Sequence, residues 1–261
     1  MIQVRNLTKK FEDIVAVNDI SFSVDKSDIF AFLGPNGAGK STTIKILTTL
    51  LRPTKGMVTL NGLDLVHRPD DVRRIIGIVF QDPSLDTDLT AKENMELHGV
   101  LYDVPVDVRK ERMEQLLKLV DLWDRRNSLV RGFSGGMKRR LEIARGFLHH
   151  PKILFLDEPT LGLDPQTRNH MWNYIRELNQ TEGTTIFFTT HYLDEADRAA
   201  HRIAIIDRGS IIVSGTSDEI KKQTHAASLE DAFLSLTGKT IREESAHPLD
   251  RMRMIRGFRG R

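Results

Sequence analysis

Hydrophobic and polar positions alternate over residues 1–30. Ile2 and Val4 repeat at period two, and Ile20, Phe22 and Val24 alternate with Ser21, Ser23 and Asp25. That alternation predicts strands with one buried face. Ile29–Leu33 is a continuous apolar run and predicts a fully buried strand. Met57–Leu60 followed by Asn61-Gly62 predicts a strand and tight turn. Arg73–Phe80 reads as another strand, ending at Gln81. From Pro83 to about Leu148 the pattern turns helical. Thr90 with Glu93 three residues on forms a capping signal. Val108–Leu122 carries Met113, Leu116, Leu117 and Val120 at helical spacing. Ser134 reads as the N-cap of a basic helix running to Leu148. Strands return at Ile153–Leu156, Thr184–Thr189 and Ile203–Ile206, and Arg208-Gly209 turns the chain into Ile211–Val213. Helices around Ser217–Gln223 and Ser228–Leu236 close the pattern. After Gly238 periodicity is lost, which predicts a mobile tail.

These elements predict an α/β fold: a mostly parallel sheet covered on both faces, with an N-terminal antiparallel β subdomain and an α-helical subdomain inserted at roughly 83–148. The folded unit is expected to span 1–237, and 238–261 to be a basic tail. Ligands on such sheets sit at the carboxyl ends of the strands.

Composition narrows this picture. The chain has 261 residues, 39% hydrophobic and 28% charged, an ordinary soluble balance. No apolar run approaches the ~20 residues of a membrane span. Met1–Asn6 reads as leading straight into folded sequence, without a signal peptide. There are no cysteines, which excludes disulfides and thiolate metal sites and fits a reducing cytoplasm. A net charge of +2 says nothing about partners. The charge is uneven, however: Arg251, Arg253, Arg256, Arg259 and Arg261 lie together without an acid. With Met252, Met254, Ile255 and Phe258 between them, they are candidates for contact with anionic lipid or a membrane partner; a solvated tail is the alternative.

The chemistry begins at G-P-N-G-A-G-K-S, Gly34–Ser41, between the strand Ile29–Leu33 and a helix expected at Thr42–Leu51. Strand, glycine loop and helix form the setting of a phosphate-binding loop. The backbone of Gly34, Pro35, Asn36, Gly37, Ala38, Gly39, Lys40, Ser41 and Thr42 is the candidate cradle. Gly34, Gly37 and Gly39 let successive N–H groups turn inward, and the helix dipole adds positive potential. Lys40 would reach the outer phosphates, and the Ser41 hydroxyl would bind Mg²⁺. The expected ligand is a nucleoside triphosphate.

Other candidates follow strand ends. Lys152–Leu156 leads into Asp157-Glu158: Asp157 would hold Mg²⁺ opposite Ser41, and Glu158 would deprotonate an attacking water. Gln81 could reach both metal and water. His191 could bond the terminal phosphate. His149, His150, His201 and His225 read as surface or loop positions. Phe133-Ser134-Gly135-Gly136-Met137 is a second anion site, a hydroxyl and glycine N–H groups at a helix N-terminus. A second such site suggests a second subunit in a symmetric head-to-tail sandwich.

Together these motifs resemble the ATP-binding subunit of an ATP-binding-cassette (ABC) transporter, over nearly all of 1–237. The resemblance implies ATP and Mg²⁺ as cofactors and an ATPase activity. It makes Phe11 the aromatic that stacks on adenine, Gly34–Ser41 the Walker A loop, Gln81 the Q-loop, and Ser134-Gly135-Gly136 the signature. It makes Asp157-Glu158 Walker B, Leu163-Asp164 the D-loop at the nucleotide, and His191 the switch histidine. Departures are Phe11 for Tyr, Phe133 for Leu, Met137 for Gln and Gly162 for Ala. V-R-G-F-S-G-G-M-K-R-R-L-E-I-A-R, 130–145, and S-L-E-D-A-F-L-S-L-T-G, 228–238, resemble the daunorubicin-resistance branch, with relatives that move polysaccharides, lipids or sodium.

The expectation is a peripheral ATPase subunit at the cytoplasmic face of the cell membrane, working as a homodimer on a separately encoded permease. The permease would dock beside Gln81, over Asp82–Glu96 with Leu85, Leu89 and Met95; ordinary core is the alternative for each apolar residue. A soluble ABC ATPase acting on nucleic acid or the ribosome is the rival. Such proteins show two cassettes, a coiled-coil insertion or zinc ligands. This chain has one cassette, no heptad run and no cysteine, so no specific nucleic-acid partner is expected.

Overall fold

The computed structural model describes residues 1–238. The chain opens with β1 (Ile2–Phe11), β2 (Ile14–Val24) and β3 (Ile29–Leu33), then α1 (Lys40–Leu47), β4 (Lys55–Leu60) and β5 (Leu63–Asp64). Next come α2 (Pro69–Ile75), β6 (Ile76–Val79), α3 (Ala91–Leu101), α4 (Val106–Leu119) and α5 (Gly135–Phe147). The chain continues through β7 (Ile153–Asp157), α6 (Pro165–Glu182), β8 (Thr185–Thr190), α7 (Leu193–Ala199) and β9 (Arg202–Asp207). It ends in β10 (Ser210–Gly215), α8 (Ser217–Thr224) and α9 (Leu229–Thr237).

Two sheets form. An antiparallel sheet has the order β2-β1-β4-β5; a six-stranded sheet has the order β10-β9-β3-β8-β7-β6. All pairs in the second are parallel except β10–β9. Alternation along the central strands explains their unbroken apolar runs. Phe30, Phe32, Ile153, Phe155 and Phe187 enter one core with α1 and the antiparallel sheet. Ile29, Ala31, Leu33, Leu154, Leu156, Ile186 and Phe188 enter the other, with α3 to α6. A strand buried on both faces has no polar side to show. The first core centres on Phe187, whose ring lies 5.6–6.0 Å from those of Phe22, Phe30, Phe32 and Phe155. Such aromatic pairs add about 0.5–1.5 kcal/mol each beyond the area they bury.

The helical insert folds as α3 to α5. Thr90 and Glu93 form the full capping box, and Ser134 caps α5. Asn61-Gly62 and Arg208-Gly209 are left-handed pairs, with φ of 50° and 79° and of 47° and 78°. Those angles suit tight hairpin turns.

Three expectations need correction. Arg73–Phe80 is not one strand: Pro69 starts α2, Asp70 and Asp71 sit in its first turn, and only Ile76–Val79 is extended. Proline at the first helical position and acids at the positive dipole end are a helix start. The helix after the glycine loop runs from Lys40 to Leu47 rather than from Thr42 to Leu51. The chain leaves it at Thr48, and Thr49 is left-handed. The longest helix, α6, lies in a stretch to which the hydrophobic pattern assigned no element. Its signals are local: Asp164 as N-cap, Pro165 at its start and left-handed Gly183 at its end.

The histidines divide. His150 and His225 are exposed, as is His201, which pairs with Asp28 at 3.4 Å. His149 lies in the turn after α5 and is half-buried. Its Nε2 lies 2.9 Å from the Ile76 carbonyl and its ring stacks on Tyr102 at 3.8 Å, beside His98.

Candidate active site

Parallel pairing brings four strand ends to one edge. Leu33 pairs with Thr190, Asp157 with Thr189, and Val79 with Leu156. The residues that leave those strands are the glycine loop, His191, Glu158 and Gln81. The sheet therefore gathers side chains that lie as far apart in sequence as Lys40 and His191.

The glycine loop is held close to its surroundings. A Cβ added at Gly34 would lie 2.3 Å from the Ile206 carbonyl, and one at Gly39 2.6 Å from the Ala16 carbonyl. Gly39 has φ of 108° and caps α1. Lys40 is 5% exposed. Its ammonium donates to the Gly34 carbonyl at 2.7 Å and the Pro35 carbonyl at 3.2 Å, and lies 3.7 Å from Glu158 Oε1. Burial pushes the Lys40 ammonium below its usual pKa, and the charges of Glu158 and Asp157 oppose that shift. A buried cation at the floor of a glycine loop suits an anionic ligand.

Asp157 is also buried, and burial raises its pKa. Thr189 Oγ1 donates to Asp157 Oδ1 at 2.5 Å, which pulls the other way. Asp157 and Ser41 present a carboxylate and a hydroxyl, the oxygen donors that Mg²⁺ accepts. The residues fit that ion.

Glu158 stands between two basic groups. Its Oε1 faces Lys40, and its Oε2 lies 2.9 Å from His191 Nδ1. Its backbone is left-handed at φ 48°, an unusual conformation for glutamate. The Glu158 N–H donates to the Thr189 carbonyl at 3.2 Å and to its Oγ1 at 3.1 Å. Gln81 is exposed two residues past Val79. Phe11 closes the β1–β2 hairpin opposite Ile14, with the Lys9 ammonium 4.8 Å from its ring centre. The same hairpin continues to Ala16 and Val17, which touch Gly39.

Ser134, Gly135 and Gly136 open α5 elsewhere. Ser134 Oγ accepts from the Met137 N–H at 3.2 Å. Ser134 and Gly136 line a groove with Asp121, Arg140, His170 and Tyr174, to which no glycine-loop or strand-end residue contributes. The groove at Ser134 and the glycine loop thus share no lining residue in one chain. Asp164 has an internal partner: it caps α6, accepting from the Thr167 N–H at 3.0 Å and from its hydroxyl at 2.6 Å.

Leu85 and Met95 are core residues and Leu89 is half-buried, so they do not form an open lining beside Gln81. The exposed apolar residues of α3 are Leu97, Val100 and Leu101.

Sequence reasoning missed Thr189 and Glu195. Buried Glu195 accepts from Thr160, which follows the Walker B turn, and from Thr190 at 3.2 Å, which precedes His191. Arg168 Nε lies 3.2 Å from its Oε1. The available signal was the Thr-Thr pair at the end of β8.

The ABC transporter family model matches residues 17–161. This chain belongs to the ABC transporter family. It is similar to the daunorubicin resistance ATP-binding protein DrrA3 of Streptomyces coeruleorubidus, 38% identical over 98% of this chain and 86% of that protein. It is 44% identical to the daunorubicin/doxorubicin resistance ATP-binding protein DrrA of Streptomyces peucetius, over 84% of this chain and 66% of that protein. Among solved structures, an ATP-binding subunit of an ABC transporter superposes with a TM-score of 0.83 at 32% identity, covering 90% of this chain and 99% of that one. MJ0796, a dimeric bacterial ABC transporter cassette, superposes with a TM-score of 0.75 at 30% identity, covering 83% and 98%. The ABC cassette described here is therefore an ATP-binding, ATP-hydrolysing subunit of the kind that powers a separate membrane permease.

Proposed function

We propose that this cassette drives an exporter of drugs, lipids, polysaccharides or ions from the cytoplasmic face of the cell membrane. Relatives named for resistance to daunorubicin and linearmycin, and for Nod factor export, support outward transport. Within the site, Phe11 stacks on adenine, and the backbone of Gly34–Thr42 with Lys40 holds the phosphates. Ser41 and Asp157, with Gln81, hold Mg²⁺, which neutralises charge on the phosphates when bound. Glu158 takes the proton of the attacking water, and His191 orients Glu158 and the terminal phosphate. Ser134, Gly135, Gly136 and Asp164 serve the nucleotide of a second copy. The exposed Leu97, Val100 and Leu101 of α3 offer the permease an apolar face.

The observation that carries the reading is Glu158 at a strand end between Lys40 and His191, at 3.7 and 2.9 Å. A carboxylate held between two cationic or hydrogen-bonding groups is oriented but still able to accept a proton. The test is Glu158→Gln alongside Lys40→Ala. Glu158→Gln is expected to bind ATP as tightly as the wild type and to lose turnover by about 100-fold or more, the range for a general base. Lys40→Ala is expected to lose binding or turnover. Normal turnover by purified Glu158→Gln would remove Glu158 from the role of base.

A further inference from the structure

Arg139 lies one turn into α5 and is 7% exposed. A guanidinium has five N–H donors in a fixed fork. Here each has an acceptor. Nε donates to the Pro159 carbonyl at 2.6 Å. Nη1 donates to the Phe80 carbonyl and to Glu142 Oε2, the latter at 3.2 Å. Nη2 donates to the carbonyls of Asp157 and Glu158, both at 3.1 Å. One side chain of the signature helix thus ties together the last residue before Gln81, both Walker B residues and the residue after them.

Glu142, one turn further along α5, is 1% exposed and completes the arrangement. Its Oε1 accepts from the Ser84 N–H at 2.6 Å and from the Ser84 hydroxyl at 3.3 Å. Arg145, in the next turn, donates to the Ser84 carbonyl at 3.0 Å. The segment on both sides of Gln81 is therefore fastened to α5, before it through Phe80 and after it through Ser84.

The Glu158 backbone gives this fastening a consequence. A non-glycine residue at φ 48° is strained and persists only where its surroundings over-determine it. Thr189 holds the Glu158 N–H, and the Glu158 carbonyl accepts from Arg139 at 3.1 Å and from the Leu161 N–H at 3.2 Å. Without Arg139 the Glu158 carbonyl keeps only the turn bond from Leu161, and four carbonyls at this edge lose their shared donor. The peptide beyond Glu158 is then held through its carbonyl by that one turn bond, which lets the Glu158 carboxylate shift from its position between Lys40 and His191.

We propose that Arg139, with Glu142 as its counter-charge, is a positioning residue for hydrolysis. It makes the catalytic end of β7 and the Gln81 segment follow the position of α5, whose first residues form the signature. An anion seated at Ser134–Gly136 by a second copy acts on the N-terminus of the same rigid helix. Arg139 converts that docking into alignment of Glu158 and Gln81. This inference rests on Glu158 acting as the base.

The experiment compares Arg139→Met, Arg139→Lys and Glu142→Gln with wild type and with Glu158→Gln. It measures ATP dissociation constant, kcat, KM and thermal midpoint. Arg139→Met keeps the bulk of the side chain and removes every donor. It is expected to lower kcat about tenfold or more, the scale of a small misplacement of a catalytic group, with ATP affinity within about threefold of wild type. Arg139→Lys restores a charge and some of the carbonyl contacts, so it should recover part of the rate. Glu142→Gln, which leaves Arg139 without its counter-charge, should lower kcat in the same direction. ATP-driven association of Glu158→Gln should survive addition of Arg139→Met. Unchanged kcat in the Arg139 variants overturns the proposal. So does a fall in affinity and thermal midpoint that accounts for the whole loss of rate, with no rescue by lysine. If Arg139→Met does not fold, Arg139→Lys and Glu142→Gln decide in its place: lowered kcat at unchanged affinity supports the proposal, and wild-type kcat in both overturns it. The Glu158→Gln control separates the two readings, because its normal turnover would remove the base itself, whatever Arg139 does.

Discussion

Phe11 shows how one side chain can be tested without disturbing the fold. It is half-buried at the end of β1, with Lys9 over its ring, and Ala16, two residues past its partner Ile14, lies against the glycine loop at Gly39. A ring can stack on adenine with or without a hydroxyl. Phe11→Ala is therefore expected to weaken ATP binding by about 1–3 kcal/mol, the scale of base stacking on an aromatic side chain, whereas Phe11→Tyr keeps it. Isothermal titration with ATP is the measurement, and equal affinity for the alanine variant would give Phe11 a purely structural role. The same residue shows the reach of sequence reading at this scale. Side-chain type at a motif position is visible in the sequence, so Phe11, Lys40, Ser41, Asp157 and Glu158 could be named at once. Thr189 and Arg139 could not, because their partners are backbone carbonyls and a carboxylate on other elements.

Among the elements, the contact of α3 with the end of α5 carries a pH dependence. His98, Tyr102 and His149 stack together, with Arg145 nearby on α5 and Ile76 on β6. Burial lowers the pKa of His98 to about 3 and of His149 to about 4. Arg145 and His149 push His98 further down. His150 and Arg112 do the same to His149, against the bond to Ile76. Both rings are thus neutral in the fold, while in the unfolded chain they titrate near 6.5. Below that pH the unfolded chain binds protons that the folded chain refuses. The stability these rings contribute is present above pH 6.5 and is lost as pH falls through 6.5 toward their folded values. Each can add a slope of up to about 1.4 kcal/mol per pH unit. Urea midpoints between about pH 7.5 and 5.5 should fall steeply for wild type and less steeply for His98→Gln with His149→Gln. Equal slopes would assign the pH dependence to other groups. A single histidine at a helix end carries no sign of its burial in the sequence, so reading His149 as a surface or loop position finds the turn but not the packing.

In the whole cassette the groove at Ser134 and Gly136 shares no lining residue with the glycine loop, and a dimeric relative shares its fold. In the proposed two-fold sandwich, each subunit would give Lys40, Ser41, Gln81, Asp157, Glu158 and His191 to one ATP, and Ser134, Gly135 and Gly136 to the other. Glu158→Gln, which arrests turnover, is expected to dimerise when ATP is added. Sedimentation with and without nucleotide is the check; a strict monomer at saturating ATP, alone and with its permease, would sink the composite site. The basic stretch Arg251–Arg261 lies outside the described residues. If it contacts anionic lipid, each arginine contributes about 1 kcal/mol. Flotation with anionic vesicles should then weaken in salt and on removal of 251–261, and no salt-sensitive difference would favour a solvated tail.

By itself the sequence determined the local chemistry and the layering. A glycine loop ending in Lys40-Ser41 states its ligand class, because few other backbones turn that many N–H groups inward. Apolar strands without alternation state that the sheet is covered on both faces. Capping residues Thr90 and Ser134 state where helices begin. Only the tertiary structure decided which of these parts touch. The Lys40–Glu158–His191 contact depends on the order and parallel register of β3, β8 and β7, which no window of sequence contains. The fastening of Glu158 and Gln81 to α5 depends on carbonyl groups, which every residue carries and no side-chain pattern distinguishes. Side-chain chemistry and periodicity are local properties and can be read along the chain. Register, burial and backbone partners are relations between distant segments and exist only once the chain has folded.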